Sequence, residues 1–107
     1  MSRRRLPNRR LSKTFELMHR DLRHHVSIGY YSDTLKAGEV FARGPKAGSM
    51  MEAVLSDACT LMSLLLQYGA SPEEIARAMA RNMGPPATIL GAIADLLAAQ
   101  KTLDAAE

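Results

Sequence analysis

The sequence predicts an α+β fold, with a small three-stranded antiparallel meander followed by three helices packed on one of its faces. In the first half of the chain, apolar and polar residues alternate, which is the period of half-buried strands. In the second half, apolar residues recur at helical spacing between glycine and proline breaks. The 107 residues, 47% of them hydrophobic, are enough for one packed core.

Alternating patterns place strands at residues 13–19 and 22–30, and a third, short strand at residues 39–42. Only Arg20 and Asp21 separate the first two patterns. Because so short a connection joins antiparallel neighbours, we expect the first two strands to form a hairpin.

The first helix is predicted over residues 50–68, with a capping box formed by Ser49 and Glu52 at its start and a stop at Gly69. We expect its apolar face to pack against the rest of the protein: Met51, Val54, Leu55, Ala58, Leu61, Met62, Leu65 and Tyr68. We expect its polar strip to face solvent or a partner: Ser56, Asp57, Thr60, Ser63 and Gln67.

A second helix is predicted to begin at Ser71, where a serine cap is followed by Pro72 and Glu74, and to reach residue 81. A third helix is predicted over residues 87–103. Its apolar face exceeds what a small core can cover, so one hypothesis is a homo-oligomer formed through this helix: Ile89, Leu90, Ile93 and Leu97.

Basic residues are concentrated at the start of the chain, where the first 13 residues hold six basic side chains and no acid. We therefore divide the chain into a basic flexible arm (1–12), one domain (13–103) and a tail (104–107). The arm either binds the phosphates of nucleic acid or an acidic protein surface through counterion release, or is a solvated tail. The candidate contacts are Arg3, Arg4, Arg5, Arg9 and Arg10.

A glycine-rich turn precedes the first helix, where free backbone N–H groups and a lysine could hold a phosphate. The candidate nucleotide or anion contacts are Lys46, Gly48 and Ser49. The turn is not a Walker loop, because Lys46 precedes the second glycine instead of following it. The alternative interpretation is a plain strand-to-helix turn with a serine cap.

We expect no catalytic residue, no metal site and no cofactor in this chain. Cys59 lacks a CxxC partner and is expected to be a small buried filler. His24 and His25 are adjacent on a strand, so their side chains point to opposite faces. A single cysteine fits a reducing compartment, and no long apolar run follows the arginines or approaches a membrane span without polar interruption. We therefore expect a cytoplasmic protein with no membrane contact.

Several segments resemble the TSCPD domain, a module found near the C-terminus of cobalamin-dependent ribonucleotide reductases and as short stand-alone proteins in bacteria and phages. The segments that carry the resemblance are residues 5–10, 22–30, 39–41, 46–49 and 63–75. They match an "RLP-x-RR" start, an "EVF"-like strand, a glycine-lysine turn and a helix end followed by "P-x-E". The cysteine-proline sequence that names the family is absent.

The resemblance implies an accessory module in deoxyribonucleotide synthesis that binds a reductase subunit, a nucleotide or nucleic acid. It does not imply reduction of nucleotides by this chain alone, because the reductase barrel with its redox cysteines would need several hundred more residues. A small nucleic-acid-binding protein that acts through the arginine arm is the alternative.

Overall fold

The structure is a computed structural model that describes residues 2–104. Its elements follow the chain as three strands and then three helices: β1 (Leu11–His19), β2 (Leu22–Tyr30), β3 (Ala37–Arg43), α1 (Met50–Gln67), α2 (Pro72–Ala78) and α3 (Ile89–Ala99). The strands form one antiparallel sheet in the order β1-β2-β3. The predicted α+β architecture is confirmed.

The hairpin of β1 and β2 turns at Arg20 and Asp21, which both have positive φ (49° and 63°). Positive φ at both central residues is typical of a two-residue hairpin turn that matches the twist of the strands. β1 begins at Leu11, so it includes the last two residues that we assigned to the arm. The predicted tail lies outside the described residues except for Asp104.

One face of the sheet forms the core, where Val26, Ile28 and Val40 are fully buried together with residues of all three helices. Tyr30 is also fully buried, and its hydroxyl donates to the Gln100 carbonyl at 2.8 Å. The alternation of buried and outward side chains predicted for β2 is therefore confirmed from His24 to Tyr30. Leu22, at the hairpin end, is 49% exposed.

The orientation of α1 about its own axis differs from the prediction. Five of the eight residues on the predicted face are exposed: Met51, Val54, Leu61, Leu65 and Tyr68. Six residues of the helix are buried: Leu55, Cys59, Met62, Ser63, Leu66 and Gln67. Two of these, Ser63 and Gln67, belong to the strip that we expected to be polar and outward.

Hydrogen bonds to the open edge of β3 explain this orientation. The Ser63 hydroxyl oxygen accepts from the Val40 N–H at 2.9 Å and lies 3.1 Å from the Val40 carbonyl oxygen. The Gln67 amide donates to the Gly38 carbonyl at 3.0 Å, and the Glu52 carboxylate accepts from the Gly44 N–H at 3.1 Å. Side chains of α1 thus take the place of a fourth strand.

The spacing of helix and strand makes this possible. Ser63 and Gln67 are one helical turn apart, about 6 Å along the axis. Val40 and Gly38 are two residues apart on the strand, about 6.6 Å. Because these distances nearly match, consecutive turns of α1 reach alternate residues of β3, whose backbone groups point away from β2.

The helix ends follow the local signals with one exception. Ser49 caps α1 by accepting from the Glu52 N–H, but the Glu52 carboxylate bonds to Gly44 instead of closing the predicted capping box. α2 has the complete capping box of Ser71 and Glu74. Gly69 ends α1 with φ of +106°.

α2 and α3 are shorter than predicted, since α2 ends at Ala78 and α3 runs only from Ile89 to Ala99. The proposed oligomer face of α3 lies largely in the core, where Ile93 and Leu97 are fully buried and Ile89 and Leu90 are half-buried. This face is therefore not free for a second copy.

Within residues 2–104, α1 is the one helix long and apolar enough to span a membrane by length and composition, with a mean hydropathy of 1.2. Its length and hydropathy are closer to those of a membrane span than we expected from the sequence. It nevertheless carries Glu52 and Asp57 and packs along β3, as a core helix does.

Replacing Ser63 with alanine is expected to leave the buried N–H of Val40 without an acceptor, and to remove the one hydroxyl proton that lies between the Cys59 and Val40 carbonyls. We expect Ser63→Ala to lower the free energy of unfolding by about 2 kcal/mol. Ser56→Ala is the matched control, since Ser56 lies exposed on the same helix and reports the change in helix propensity alone. Urea denaturation measures both, and equal stability of the two variants would contradict the role of Ser63.

Candidate functional site

The predicted anion site is a turn between β3 and α1, and the structure brings its three residues together. The Ser49 hydroxyl donates to the Lys46 carbonyl at 2.8 Å and accepts from the Glu52 N–H at 3.1 Å. The Lys46 side chain is exposed. Gly48 has φ of +82°, and a Cβ there would meet nothing within 4 Å. The backbone conformation alone therefore accounts for the glycine, and the serine hydroxyl is occupied as a cap.

The N-terminal arm lies against the body of the protein. Arg3 Nε donates to the Gln67 side-chain oxygen at 2.7 Å, and the Arg4 N–H donates to the Gln67 carbonyl at 2.8 Å. The Arg4 guanidinium donates to both carboxylate oxygens of Asp33, at 2.6 and 2.7 Å, and lies 4.1 Å from the centre of the Tyr31 ring. These contacts hold the start of the chain beside the end of α1.

Arg10 forms the second anchor of the arm, with its Nε 2.5 Å from the Glu39 carboxylate. Glu39 is only 7% exposed although it lies on the sheet face opposite the helices. Its side chain covers Gly29, where a Cβ would come within 2.3 Å of a Glu39 oxygen. The arginine thus neutralises a covered carboxylate, and the glycine makes room for it.

Electrostatics at the arm follow from these pairs. The hydrogen bond from Arg4 lowers the pKa of Asp33, and burial raises the pKa of Tyr31. Arg5 and Arg9 are exposed and take part in no ion pair or hydrogen bond within residues 2–104. Of the five predicted arginine contacts, these two therefore have no partner among the described residues.

A cavity of about 480 Å³ lies between the arm, the β2–β3 loop and the start of α2. Arg4, Lys36 and Lys101 line it, but Arg4 pairs with Asp33 and Lys101 pairs with Glu73, which also lines the cavity, so Lys36 supplies most of its net positive charge. Sequence reasoning missed this arrangement because the three cations come from distant segments. Together with the turn at Lys46, the cavity is a place where an anionic ligand would meet favourable charge.

Cys59 is unsuited to nucleophilic chemistry. It is 1% exposed, and burial raises the pKa of its thiol to about 11, while the Ala42 N–H lowers it and the charge of Glu52 raises it further. The thiolate, which is the reactive form, is therefore scarce at neutral pH. Its predicted role as a buried filler agrees with its position in the core.

The histidines point apart as predicted, since His24 is buried on the core face and His25 is exposed beside Glu16. In the part of the chain that the structure describes, no three His, Cys, Asp or Glu side chains form a group that could hold a metal ion.

We expect Cys59 to react slowly with a thiol reagent such as DTNB in the folded protein at pH 8. A pKa near 11 instead of 9.0 leaves about 100-fold less thiolate, and burial slows the reaction further. A Thr60→Cys variant gives the exposed control on the same helix and should react at once. Equally fast reaction of Cys59 without denaturant would contradict its burial.

The same pKa shift predicts a loss of stability at high pH. The pKa of the Cys59 thiol is raised in the folded state. The contribution of the protonated thiol to the free energy of unfolding is therefore complete below pH 9 and is lost as the pH rises towards 11.

The fold, the strand with Glu39 and Val40, the turn before α1 and the capped start of α2 are the features on which the resemblance to the TSCPD domain rests. No curated protein and no solved structure matches this chain. The family model of the TSCPD domain matches residues 2–101, which is nearly the whole sequence. This chain therefore belongs to the TSCPD domain family.

Proposed function

We propose that this protein is a cytoplasmic, non-catalytic accessory module of ribonucleotide reduction, which acts by binding a reductase subunit. The observation that carries the proposal is the match to the TSCPD domain over residues 2–101. The chemistry of the chain supports the non-catalytic part, because its single cysteine is buried with a raised pKa. A reductase needs reactive thiols, which this chain does not offer.

Such a module would act by contact between its basic surface and a partner protein. The arm and the cavity beside it present arginine and lysine side chains, and the exposed Arg5 and Arg9 are free to meet an acidic partner. Charged rims of this kind mainly set the rate and specificity of association.

Copurification with the reductase of the same cell tests the proposal. We expect the tagged protein to retain the reductase, and we expect Arg5→Ala/Arg9→Ala to weaken retention without loss of stability, because neither residue is anchored. An Arg10→Ala variant serves as the contrast, since it removes the partner of Glu39 and lowers stability. Absence of a complex at low salt, together with unchanged deoxyribonucleotide formation when the protein is added, would overturn the proposal.

We also propose that the module binds a nucleotide through its phosphates. Two places support this, the turn at Lys46 with the N-terminus of α1 and the cationic cavity at Lys36. A helix N-terminus contributes only about 0.3–2 kcal/mol to holding an anion, so the lysines are needed for useful affinity.

Titration calorimetry with nucleoside triphosphates distinguishes the two places. If the turn is the site, Lys46→Ala weakens binding about tenfold and Lys36→Ala leaves it unchanged. If Lys36→Ala weakens binding and Lys46→Ala does not, the cavity is the binding site. Both lysines are exposed, so both variants should keep the stability of the wild type. No binding by the wild type would end the nucleotide proposal.

A further inference from the structure

The exposed side of α1 carries a continuous apolar stripe, and the fold of one copy does not use it. The stripe consists of Met51, Val54, Ala58, Leu61, Leu65 and Tyr68. Apart from the half-buried Ala58, its members are 44% to 67% exposed. The steps between them alternate between three and four residues, which is the a/d spacing of a helix that pairs with another helix.

We propose that this stripe packs against the same stripe of a second copy, with the two helices antiparallel and related by a two-fold axis. The axis crosses the interface between Ala58 and Leu61, at the level midway between residues 59 and 60 along the helix. The resulting opposite pairs are Met51 with Tyr68, Val54 with Leu65, and Ala58 with Leu61. Each pair joins an a position to a d position, and a two-fold interface requires such a self-complementary surface.

The charges of α1 favour the antiparallel direction. Its two charged residues, Glu52 and Asp57, both lie in its first half. Glu52 points to the Gly44 N–H beside β3, whereas Asp57 is exposed nearer the stripe. An antiparallel pair sets the helix dipoles in opposite directions and separates the Asp57 carboxylates of the two copies along the axis. A parallel pair would bring like charges together.

The surface next to the stripe supplies a pocket for the largest side chain. An apolar cavity of about 380 Å³ opens at the start of α1, lined by Leu22, Met51, Val54 and Leu90 among others. The two-fold arrangement puts Tyr68 of the second copy opposite Met51, at the mouth of this cavity. An aromatic anchor in an apolar pocket is typical of the residues that dominate interface energies.

The area is adequate for a stable dimer. The exposed parts of the stripe residues amount to on the order of 600 Å², at the upper end for the largest apolar patch of a monomer. Leu22, which is 49% exposed beside the same cavity, extends the contact towards the roughly 800 Å² per partner of a standard interface.

Sedimentation equilibrium over a range of protein concentrations tests the proposal. We expect the wild type to be dimeric at micromolar concentration. Leu61→Asp should raise the dissociation constant about 100-fold or more, because a carboxylate would be placed in an apolar interface. Thr60→Asp is the matched control on the next residue, which faces away from the stripe, and should remain dimeric. Both sites are exposed in one copy, so circular dichroism should show both variants folded.

Engineered cysteines test the direction of pairing. A double variant Val54→Cys/Leu65→Cys should form a covalent dimer on mild oxidation, since these positions face each other in the antiparallel pair. The single variant Val54→Cys should not, because its two copies would be about 16 Å apart along the helices. Cys59 does not interfere, since it is buried.

Four results would overturn the proposal. A wild type that is monomeric at 200 μM, or a dimer that Leu61→Asp leaves intact, would show that the stripe does not pair with itself. Efficient crosslinking of Val54→Cys alone would show a parallel pair. Monomeric wild type that binds neutral lipid vesicles through Leu61 would assign the stripe to a membrane surface instead.

Discussion

The open edge of β3 is the constraint on which the arrangement of this protein depends. An edge strand presents unpaired N–H and carbonyl groups, which are costly when buried and promote pairing with other chains when exposed. α1 satisfies these groups with Glu52, Ser63 and Gln67. Because those side chains must face the strand, the rotation of the helix is determined, and its apolar surface is divided between the core and the outside.

The elements could be predicted from the sequence because their signals are local. Alternation defined the strands, the two-residue connection defined the hairpin, and Ser71 with Glu74 defined the start of α2. The packed face of α1 could not be predicted in this way, since apolar residues occupy more than half of its circumference. The deciding residues were the polar Ser63 and Gln67, whose importance becomes visible only when the edge of β3 is in place.

The same distinction applies to the candidate sites. Lys46, Gly48 and Ser49 are close in sequence, so the turn they form was predictable. The pairs Arg4–Asp33 and Arg10–Glu39 each span 29 residues, and no local pattern indicates which acid an arginine meets. The consequence for function is that much of the arm's charge is used within the fold.

The edge contact also has a consequence for the protein while it is being made. Val40 and Ser63 are separated by 23 residues, so the whole meander leaves the ribosome before the helix that closes it. At the usual speed of synthesis this interval lasts about 1–5 s. During that time the nascent chain lacks the side chains that cover the edge of β3, and an unpaired edge of this kind can pair with strands of other chains.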